Sequence, residues 1–539
     1  MSDRDLAQAR DHITAGRWAE AIRALTLAVD GPSGRDALIM LSQVFRRLDR
    51  TEHAVQALET ALARDPDDRE AKFQLANLAS EIGAGEGAER IYRELLADDP
   101  ESLPVRNNLA NLLRAMHRPE EALQVIDGGM SQGRENATAL STYGLCAMDC
   151  GDLDGARLAY ERALRLEPGH GRARANLGEL LLLVGDTAAG IAELEAARRL
   201  LEAPAQVDVN LAYARFLEGE YRAGWQAFES RFSVQGPTER PARPFGQQRW
   251  QGQQLDGTLL VWGEQGIGEE IVFATMLAEA RRRAKHLVLE CDPRLVPLFA
   301  RSLADVEVVP RSEPPAARLS APDVLAQIPL ASLGGIFRNR PEEFPPQPGH
   351  LRADPALQAE LRSRYRAMGE GPLVGLSWRS VNARAGPAKS MALTDLSKLA
   401  TARPAVFVNL QYGEVDAEIA ALQAATGVRV IRDSAVDQMQ DMDAFAAQVA
   451  ALDLVITISN TAAHVAGALG RPTWTMVPAG PGLRWYWGRS GNRSPWYDSL
   501  RLFRQGVPGH WHGVIEEVGA AFRQLPVDPP AAGAGADGT

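Results

Sequence analysis

Residues Asp453 to Pro478 read D-L-V-I-T-I-S-N-T-A-A-H-V-A-G-A-L-G-R-P-T-W-T-M-V-P, and they decide how the second half of the chain folds. An apolar, β-branched run ends in a short polar turn, a helix of small residues follows, and a second apolar run begins after Pro472. This order is typical of a strand–turn–helix–strand unit in a parallel sheet. The turn, Ser459-Asn460-Thr461, offers backbone N–H groups and short polar side chains at a helix N-terminus, which predicts an anion site.

The same alternation of apolar runs and helical stretches extends outward from this segment. Two blocks of βα units separated by the proline-rich crossing Pro341–Pro348 predict two facing Rossmann-like lobes. We expect a linker at 236–255, a first lobe at 256–350, a second lobe at 351–511, a helix at 512–525 and a disordered tail at 526–539. The predicted strands are Thr258–Trp262, His286–Glu290, Val306–Val309, Leu373–Trp378, Ala405–Leu410, Val428–Ile431, Leu454–Ile458 and Thr473–Val477.

Upstream of the linker, the chain repeats itself with a period of 34 residues, marked by Pro32, Pro66, Pro100 and Pro168. A proline ends the second helix of each unit, and a small residue lets the two helices approach each other. The pattern resembles the tetratricopeptide repeat (TPR) and predicts an all-α superhelix over residues 1–235, whose concave face binds polypeptide. The large–small pairs that share one phase are Leu41-Ser42, Leu75-Ala76, Leu109-Ala110, Tyr143-Gly144, Leu177-Gly178 and Leu211-Ala212.

Composition narrows the class of protein. The 539 residues are 45% hydrophobic and 24% charged, as in an ordinary globular protein, and the formal net charge of −11 argues against general nucleic-acid binding. No apolar run approaches the length of a membrane span, and the N-terminus lacks the apolar stretch of a signal peptide. Three cysteines are too few for a disulfide framework or a structural zinc site. We therefore expect a cytoplasmic protein with no metal.

The first βα turn of the front lobe, Gly263 to Glu270, reads G-E-Q-G-I-G-E-E. Three glycines after a strand suggest a dinucleotide site, with Glu290 near the expected acidic position, but Glu269 and Glu270 at the helix start would repel a pyrophosphate. We favour a general base in this loop, with Glu269 preferred and Glu264 and Glu270 as candidates. The alternative is that the two carboxylates only favour the helix dipole.

Polar residues in the second lobe follow the carboxyl ends of several predicted strands, where open α/β sheets bind ligands. A cationic loop and a helix N-terminus together suit a phosphate-bearing leaving group without a metal. For the basic residues the alternative is a solvated surface charge, and for the histidine it is a partly exposed helix position. The predicted donor-binding residues are Arg379, Lys389, Ser390, Gln411, Tyr412, Asn460, Thr461 and His464.

An aromatic cluster follows these elements near the C-terminus. It comprises Trp485-Tyr486-Trp487 and Trp496-Tyr497, in a chain that is only 6% aromatic. Two interpretations stay open for this cluster. It could wall a sugar or base pocket, or it could be the packing that locks the C-terminal helix onto the front lobe.

As a set, these motifs resemble bacterial proteins in which TPR units are fused to a GT-B glycosyltransferase, similar to the heptosyltransferases and, more remotely, to the protein O-GlcNAc transferases. The resemblance covers nearly the whole chain, and S-N-T with the downstream W-Y-W-G looks most like the subgroup that glycosylates flagellin. For that subgroup the implied donor is a CMP-activated nonulosonic acid such as pseudaminic acid. The motifs are G-E-Y-R-A-G-W-Q-A-F-E-S-R-F (Gly219–Phe232), L-L-V-W-G-E-Q-G-I-G-E-E-I (Leu259–Ile271), V-G-L-S-W-R-S, F-V-N-L-Q-Y-G-E and I-S-N-T-A-A-H-V-A-G-A-L-G-R-P-T-W.

Two departures from the heptosyltransferase pattern bear on the donor. Those enzymes usually carry aspartate where this chain has Glu269, and D-T where it has Asn460-Thr461. The first change keeps a carboxylate, whereas the second removes a negative charge beside the donor phosphates. For this reason we do not infer heptose as the donor sugar of this chain. The resemblance implies transfer of a sugar from a nucleotide sugar to a protein hydroxyl, with no cofactor. The alternatives are a TPR adaptor with an inactive GT-B domain and a heptosyltransferase-like enzyme acting on a glycan or lipid.

Overall fold

The computed structural model describes residues 2–130, 135–234, 242–381 and 386–525. The predicted tail at 526–539 and residues 236–241 of the predicted linker lie outside these ranges.

The chain divides into two compact units. The first comprises Met1–Leu180 with Ala196–Glu202, and the second comprises Leu181–Glu195 with Ala203–Thr539. The end of the repeat region therefore belongs to the unit that contains the sheets, and this division falls well before the domain boundary predicted at residue 235.

Helices fill the N-terminal part of the chain. Each helix from the first to the tenth packs against the next in sequence, and the thirteenth packs against the fourteenth. The helices are α1 (Ser2–Thr14), α2 (Trp18–Ala28), α3 (Gly34–Arg47), α4 (Thr51–Arg64), α5 (Arg69–Glu81), α6 (Gly85–Asp98), α7 (Leu103–Ala115), α8 (Pro119–Asp127), α9 (Ala137–Asp149), α10 (Leu153–Leu166), α11 (Gly171–Leu183), α12 (Thr187–Leu200), α13 (Ala205–Leu217) and α14 (Tyr221–Phe228).

The small residues of the repeat lie where helices approach closely. Ala76 and Ala110 are fully buried. A β-carbon at Gly144 would lie 2.4 Å from Cε1 of Tyr160, so only glycine lets α9 approach α10 at this point. Pro66 and Pro100 fall between helices, as the 34-residue period requires. The prediction of an all-helical TPR superhelix is confirmed for this part of the chain.

Two parallel sheets form the core of the second unit. The first has the order β1-β5-β2-β3-β4 and the second has the order β11-β10-β9-β6-β7-β8, with every neighbouring pair parallel. The strands are β1 (Gln248–Arg249), β2 (Leu255–Trp262), β3 (Ala284–Cys291), β4 (Glu307–Pro310), β5 (Val324–Pro329), β6 (Leu373–Ser377), β7 (Val406–Asn409), β8 (Val430–Ile431), β9 (Leu454–Ile458), β10 (Thr473–Val477) and β11 (Leu500–Arg504).

Helices connect these strands, as parallel pairing requires. They are α15 (Ile267–Phe273), α16 (Leu277–Arg281), α17 (Val296–Ser302), α18 (Gly334–Phe337), α19 (Pro355–Arg366), α20 (Gly386–Lys389), α21 (Ser397–Ala400), α22 (Asp416–Thr426), α23 (Met442–Ala450), α24 (Thr461–Ala468) and α25 (His512–Arg523). An α/β domain with two parallel sheets therefore follows the repeats, as predicted.

Three strands were absent from the sequence prediction. β1 has two residues and falls inside the predicted linker, although it pairs with β5. β5 contains Gln327 and ends in proline, so its apolar run is broken. β11 carries arginine at two of its five positions, Arg501 and Arg504, and lies at the edge of its sheet. Each lacks the continuous β-branched run that marks a buried parallel strand.

The C-terminal helix packs on the second sheet. The ring of Phe522 in α25 lies 6.1 Å from that of Phe407 and 6.4 Å from that of Trp474, between centroids. This corrects the suggestion that the helix is locked onto the front lobe.

Candidate functional site

The predicted polar segments meet at one edge of the second sheet. β6 lies between β9 and β7 and is parallel to both, so the turns that follow these three strands are neighbours. The Lys389-Ser390 segment reaches the same edge, since Ser390 Oγ accepts a hydrogen bond of 2.9 Å from the Ser380 amide. Residues 382–385 of the connecting loop lie outside the described ranges.

Asn460 fixes the start of α24. Its Oδ1 accepts from the amide of Ala462 (3.0 Å) and from Thr457 Oγ1 (3.0 Å), while its Nδ2 donates to Ser377 Oγ at 2.7 Å. The side chain thus caps the helix and ties β9 to β6. Thr461, the first residue of the helix, is partly exposed at this edge.

Gln411 is completely buried, and its side chain holds the turn after β6. The Oε1 atom accepts from the backbone amides of Trp378 (3.2 Å) and Arg379 (3.0 Å) and from Ser377 Oγ (3.1 Å). The predicted contact of Gln411 with nucleotide or sugar is therefore replaced by a positioning role.

Three further predicted donor ligands also have partners within the protein. Arg379 forms a 3.0 Å ion pair with Glu418 and donates to the carbonyl of Glu414 at 2.6 Å. Ser390 Oγ donates to the carbonyl of Gly386, and Tyr412 Oη accepts from the Val381 amide. These side chains shape the loops, and the guanidinium of Arg379 is directed to α22. Their contact with donor stays a prediction.

His464 is also buried, with 2% of its surface exposed. Its ring stacks on Trp487 at 5.0 Å, and Nδ1 lies 3.1 Å from Tyr497 Oη. Burial, with a smaller effect from the charge of Lys389, lowers the pKa of His464 to about 3, so the ring is neutral at pH 7. The alternative of a partly exposed helix histidine is therefore wrong, and the predicted contact of His464 with donor stays a prediction.

Lys389 remains as a cation at this edge of the sheet. It ends α20, is 6% exposed, and forms no ion pair with another described residue. Burial, with a smaller contribution from the charge of Arg484, lowers the pKa of Lys389 to about 8, while the carboxylate of Glu269 acts in the opposite direction. A desolvated ammonium without a carboxylate partner is suited to binding an anionic ligand.

The three glutamates of the glycine loop have different surroundings. Glu264 is buried and receives a 2.7 Å hydrogen bond from Arg231. Glu270 is 1% exposed, contacts Arg311 through Oε1, and accepts from the Asp292 amide at 2.9 Å through Oε2. Burial raises the pKa of Glu270 to about 7, although the Arg311 charge opposes the shift. Glu264 thus ties the first lobe to the end of the repeat region, and Glu270 holds the first lobe together.

Glu269 differs from its neighbours, because it is partly exposed and forms no hydrogen bond or ion pair with any other described side chain. The turn that carries it faces the second sheet: α15 packs against α24, and a β-carbon at Gly268 would lie 3.0 Å from Cδ2 of His464. Of the three candidate bases, Glu269 is therefore the one directed toward the predicted anion site.

Glu290, the acidic residue of the dinucleotide interpretation, is fully buried in β3. Arg243 donates to it at 2.5 Å. A carboxylate in that position cannot reach a ribose, which agrees with setting the dinucleotide interpretation aside.

Arg484 was not identified as a ligand-binding residue from the sequence. It lies with Glu269 in the lining of a small cavity of ≈ 80 Å³, and it forms no ion pair among the described residues. Its charge also influences the pKa of Lys389. The local signal was a basic residue at the start of the aromatic cluster, which was itself open to interpretation as a pocket wall or as packing.

The aromatic cluster packs two regions together. Trp485 stacks on Phe216 of α13 at 4.2 Å and meets Trp225 of α14 edge-on at 5.5 Å. Trp487 donates from Nε1 to Ser459 Oγ at 2.7 Å. The cluster is thus mainly buried packing between the last repeat helices and the second sheet.

Among the described residues, no group of three or more His, Cys, Asp or Glu side chains is placed to hold a metal ion. No described helix has the length and apolarity needed to cross a membrane.

Comparisons with known proteins agree with the repeats. Models of the tetratricopeptide repeat match residues 6–57, 46–101, 82–143 and 137–170. Among solved structures, a tetratricopeptide repeat protein of Parabacteroides merdae is 18% identical, with a TM-score of 0.39, over 44% of this chain and 94% of its own. A thermophilic TPR protein of Thermus thermophilus is 24% identical, with a TM-score of 0.31, over 33% of this chain and 98% of its own.

A longer match comes from protein FlbA of Caulobacter vibrioides. The two chains are 33% identical over 434 residues, which cover 77% of this chain and 71% of FlbA. The helical region ends at Ser233, so a match of this length includes part of the two-sheet region. The chain therefore belongs to the family of protein FlbA.

Proposed function

We propose that the protein is a metal-independent GT-B glycosyltransferase that moves a sugar from a nucleotide-sugar donor to a Ser or Thr hydroxyl of a protein. The observation that carries the proposal is that α15, the helix of Glu269, packs against α24 at the sheet edge that the Lys389-Ser390 segment also reaches. A carboxylate that can accept a proton and a cation that can hold a departing phosphate are the two groups that this transfer needs.

Glu269 is the proposed general base. It takes the proton of the acceptor hydroxyl while the hydroxyl oxygen forms its bond to the anomeric carbon. The bond between that carbon and the donor phosphate oxygen breaks in the same step, and the nucleotide leaves as an anion. Lys389, Arg484 and the backbone N–H groups at Thr461 stabilise the charge of the leaving group.

The proposed donor is a CMP-linked nonulosonic acid such as pseudaminic acid, and the proposed acceptor is flagellin. The S-N-T turn and the W-Y-W-G segment support this choice through the resemblance described above. Asn460 supports it physically, because a neutral amide at the helix cap leaves no negative charge beside an anionic donor. The TPR superhelix recruits the acceptor, since such repeats provide extended concave surfaces for polypeptide.

An adaptor with an inactive transferase fold is the competing function. An adaptor would bind no nucleotide sugar. Its function would not require the buried Lys389, which forms no ion pair with a described carboxylate. A heptosyltransferase-like enzyme acting on a glycan would retain the base and the lysine but would not need repeats that bind polypeptide.

A thermal-shift panel of CMP-, UDP-, GDP- and ADP-sugars tests the proposal. Ligand at 100 times its Kd stabilises the folded protein by about 2.7 kcal/mol, which is readily measured. We expect the CMP-sugar to raise Tm in the wild type and in the control Lys398→Ala, because Lys398 is 69% exposed and pairs with Glu516. Lys389→Ala should lose the response. Stabilisation by none of the four donors would favour the adaptor.

A further inference from the structure

The small cavity beside Glu269 is built partly by the end of the repeat region. Tyr213 and Leu217 of α13 and Phe228 at the end of α14 contribute to the lining, and Phe273, Leu483, Trp485 and Tyr486 complete its apolar part. All seven belong to the second compact unit, so the cavity lies within one body. The last TPR helices therefore supply part of the wall around the proposed base.

The size of the cavity limits what can enter it. Its volume is ≈ 80 Å³. Sites for whole ligands are typically ~300–1,000 Å³. The space therefore suits one short side chain or a comparable fragment, and its aromatic lining favours an apolar one.

The position of the cavity favours the acceptor over the donor. Glu269, which must touch the acceptor hydroxyl, contributes to the lining, whereas Lys389, Asn460 and Thr461 do not. Three of its seven apolar lining residues come from the last repeat helices, so polypeptide bound by these helices lies next to the base.

We propose that this cavity is an acceptor subsite that receives an apolar side chain flanking the Ser or Thr to be modified. The inference rests on the proposed function for the role of Glu269, but the binding of the flanking side chain does not require turnover. Tyr213 and Leu217 are then specificity-determining residues of the repeat domain, and the modified hydroxyl is selected by its immediate neighbour as well as by distant contacts.

The test uses the full chain and two short threonine peptides that differ only in the flanking residue, leucine in one and asparagine in the other. Fluorescence anisotropy measures peptide binding, and donor-dependent transfer is measured in parallel. We expect the leucine peptide to bind and react about tenfold better, since one buried apolar group gives discrimination of this order. Leu217→Trp fills the cavity and should abolish the preference, and Tyr213→Ala should weaken it.

Controls separate this proposal from the proposed function. Leu158→Trp, at an exposed position on α10, should leave the preference unchanged. Retained Tm and a retained donor-induced shift show that the two cavity variants are folded and bind donor. Equal binding of the two peptides would contradict the acceptor subsite. Loss of the donor-induced Tm shift in Leu217→Trp but not in Tyr213→Ala would also contradict it, because the cavity would then bind the sugar of the donor. Preference in binding without any transfer leaves the subsite in place and contradicts the transferase.

Discussion

The turn after β2 and the turn after β9 are both strand-to-helix connections at the carboxyl ends of parallel strands, yet they provide opposite chemistry. The first carries three glutamates, of which Glu264 and Glu270 are bound to arginines and Glu269 is not. The second is uncharged, and Asn460 uses its amide to cap the helix. One turn therefore presents a negative charge and the other leaves a partial positive charge open.

The difference shows that a backbone motif determines the position of a side chain but not its function. Glu269 and Glu270 are adjacent in α15, and successive residues of a helix point about 100° apart. Glu270 consequently turns into the first lobe toward Arg311, while Glu269 faces the second sheet. Their roles differ because their surroundings differ, and variants at each turn can test this contrast.

The largest effect is expected when Glu269 loses its charge. Glu269→Gln keeps the shape of the side chain and removes the proton acceptor, so kcat for transfer should fall by about 10²–10⁴. Donor binding, measured by thermal shift, should persist because the phosphate contacts come from the other turn.

Glu270→Gln is the matched control. It weakens the contact with Arg311 and should lower Tm, since loss of one partner of a buried ion pair is destabilising. Transfer by the folded fraction should remain within about tenfold of the wild type. Equal losses of kcat in the two variants would contradict the contrast between the glutamates.

The next largest effect is expected at Lys389, the cation beside the turn after β9. Lys389→Ala should reduce transfer about 100-fold, as removal of one transition-state donor typically does. Because the pKa of Lys389 is about 8 in the free protein, donor affinity should weaken as pH rises through 8, whereas Lys389→Arg should show little change over this range.

Stability should respond to pH in the opposite sense. The unfolded chain binds a proton at Lys389 up to about pH 10.5 and the folded protein only up to about pH 8, so this residue makes unfolding less favourable as pH rises between those values. The measurement is Tm against pH for the wild type and Lys389→Ala.

For donor binding, identical affinity at pH 7 and pH 9 would show that the ammonium of Lys389 does not bind the donor.

The smallest effect is expected at Asn460. Asn460→Ala removes a helix cap and should lower the free energy of unfolding by about 1–2 kcal/mol. Asn136 caps α9 in the same way, accepting from the Ala139 amide at 2.8 Å, so Asn136→Ala should cost a similar amount. Only the Asn460 variant should also weaken donor binding. Equal donor affinity in both variants would reduce Asn460 to a purely structural cap.

Much of the fold was predictable because it depends on local pattern. The strands at 454–458 and 473–477 were predicted with their observed limits, since continuous β-branched runs between turns admit few alternatives. The 34-residue period located the repeats. β1 and β5 escaped prediction because pairing, not composition, makes them strands.

The site was predictable only in outline. The sheet edge was correct, because parallel strands bring their carboxyl ends together. The roles of the side chains were harder to predict. Arg379 pairs with Glu418, 39 residues away, and His464 is enclosed by Tyr497 and other members of the aromatic cluster. The sequence contains no distance between such partners, so it could not predict that these side chains are held by contacts within the protein.

By itself, the sequence determined the repeats, the two blocks of parallel βα units and the presence of a polar turn at Ser459–Thr461, because period, propensity and turn chemistry act over a few residues. Tertiary structure decided which carboxylate stays unpaired, which lysine loses its solvent, and that the last repeat helices join the sheets in one unit. Those properties depend on burial and on charges brought together from distant parts of the chain, which no local pattern encodes.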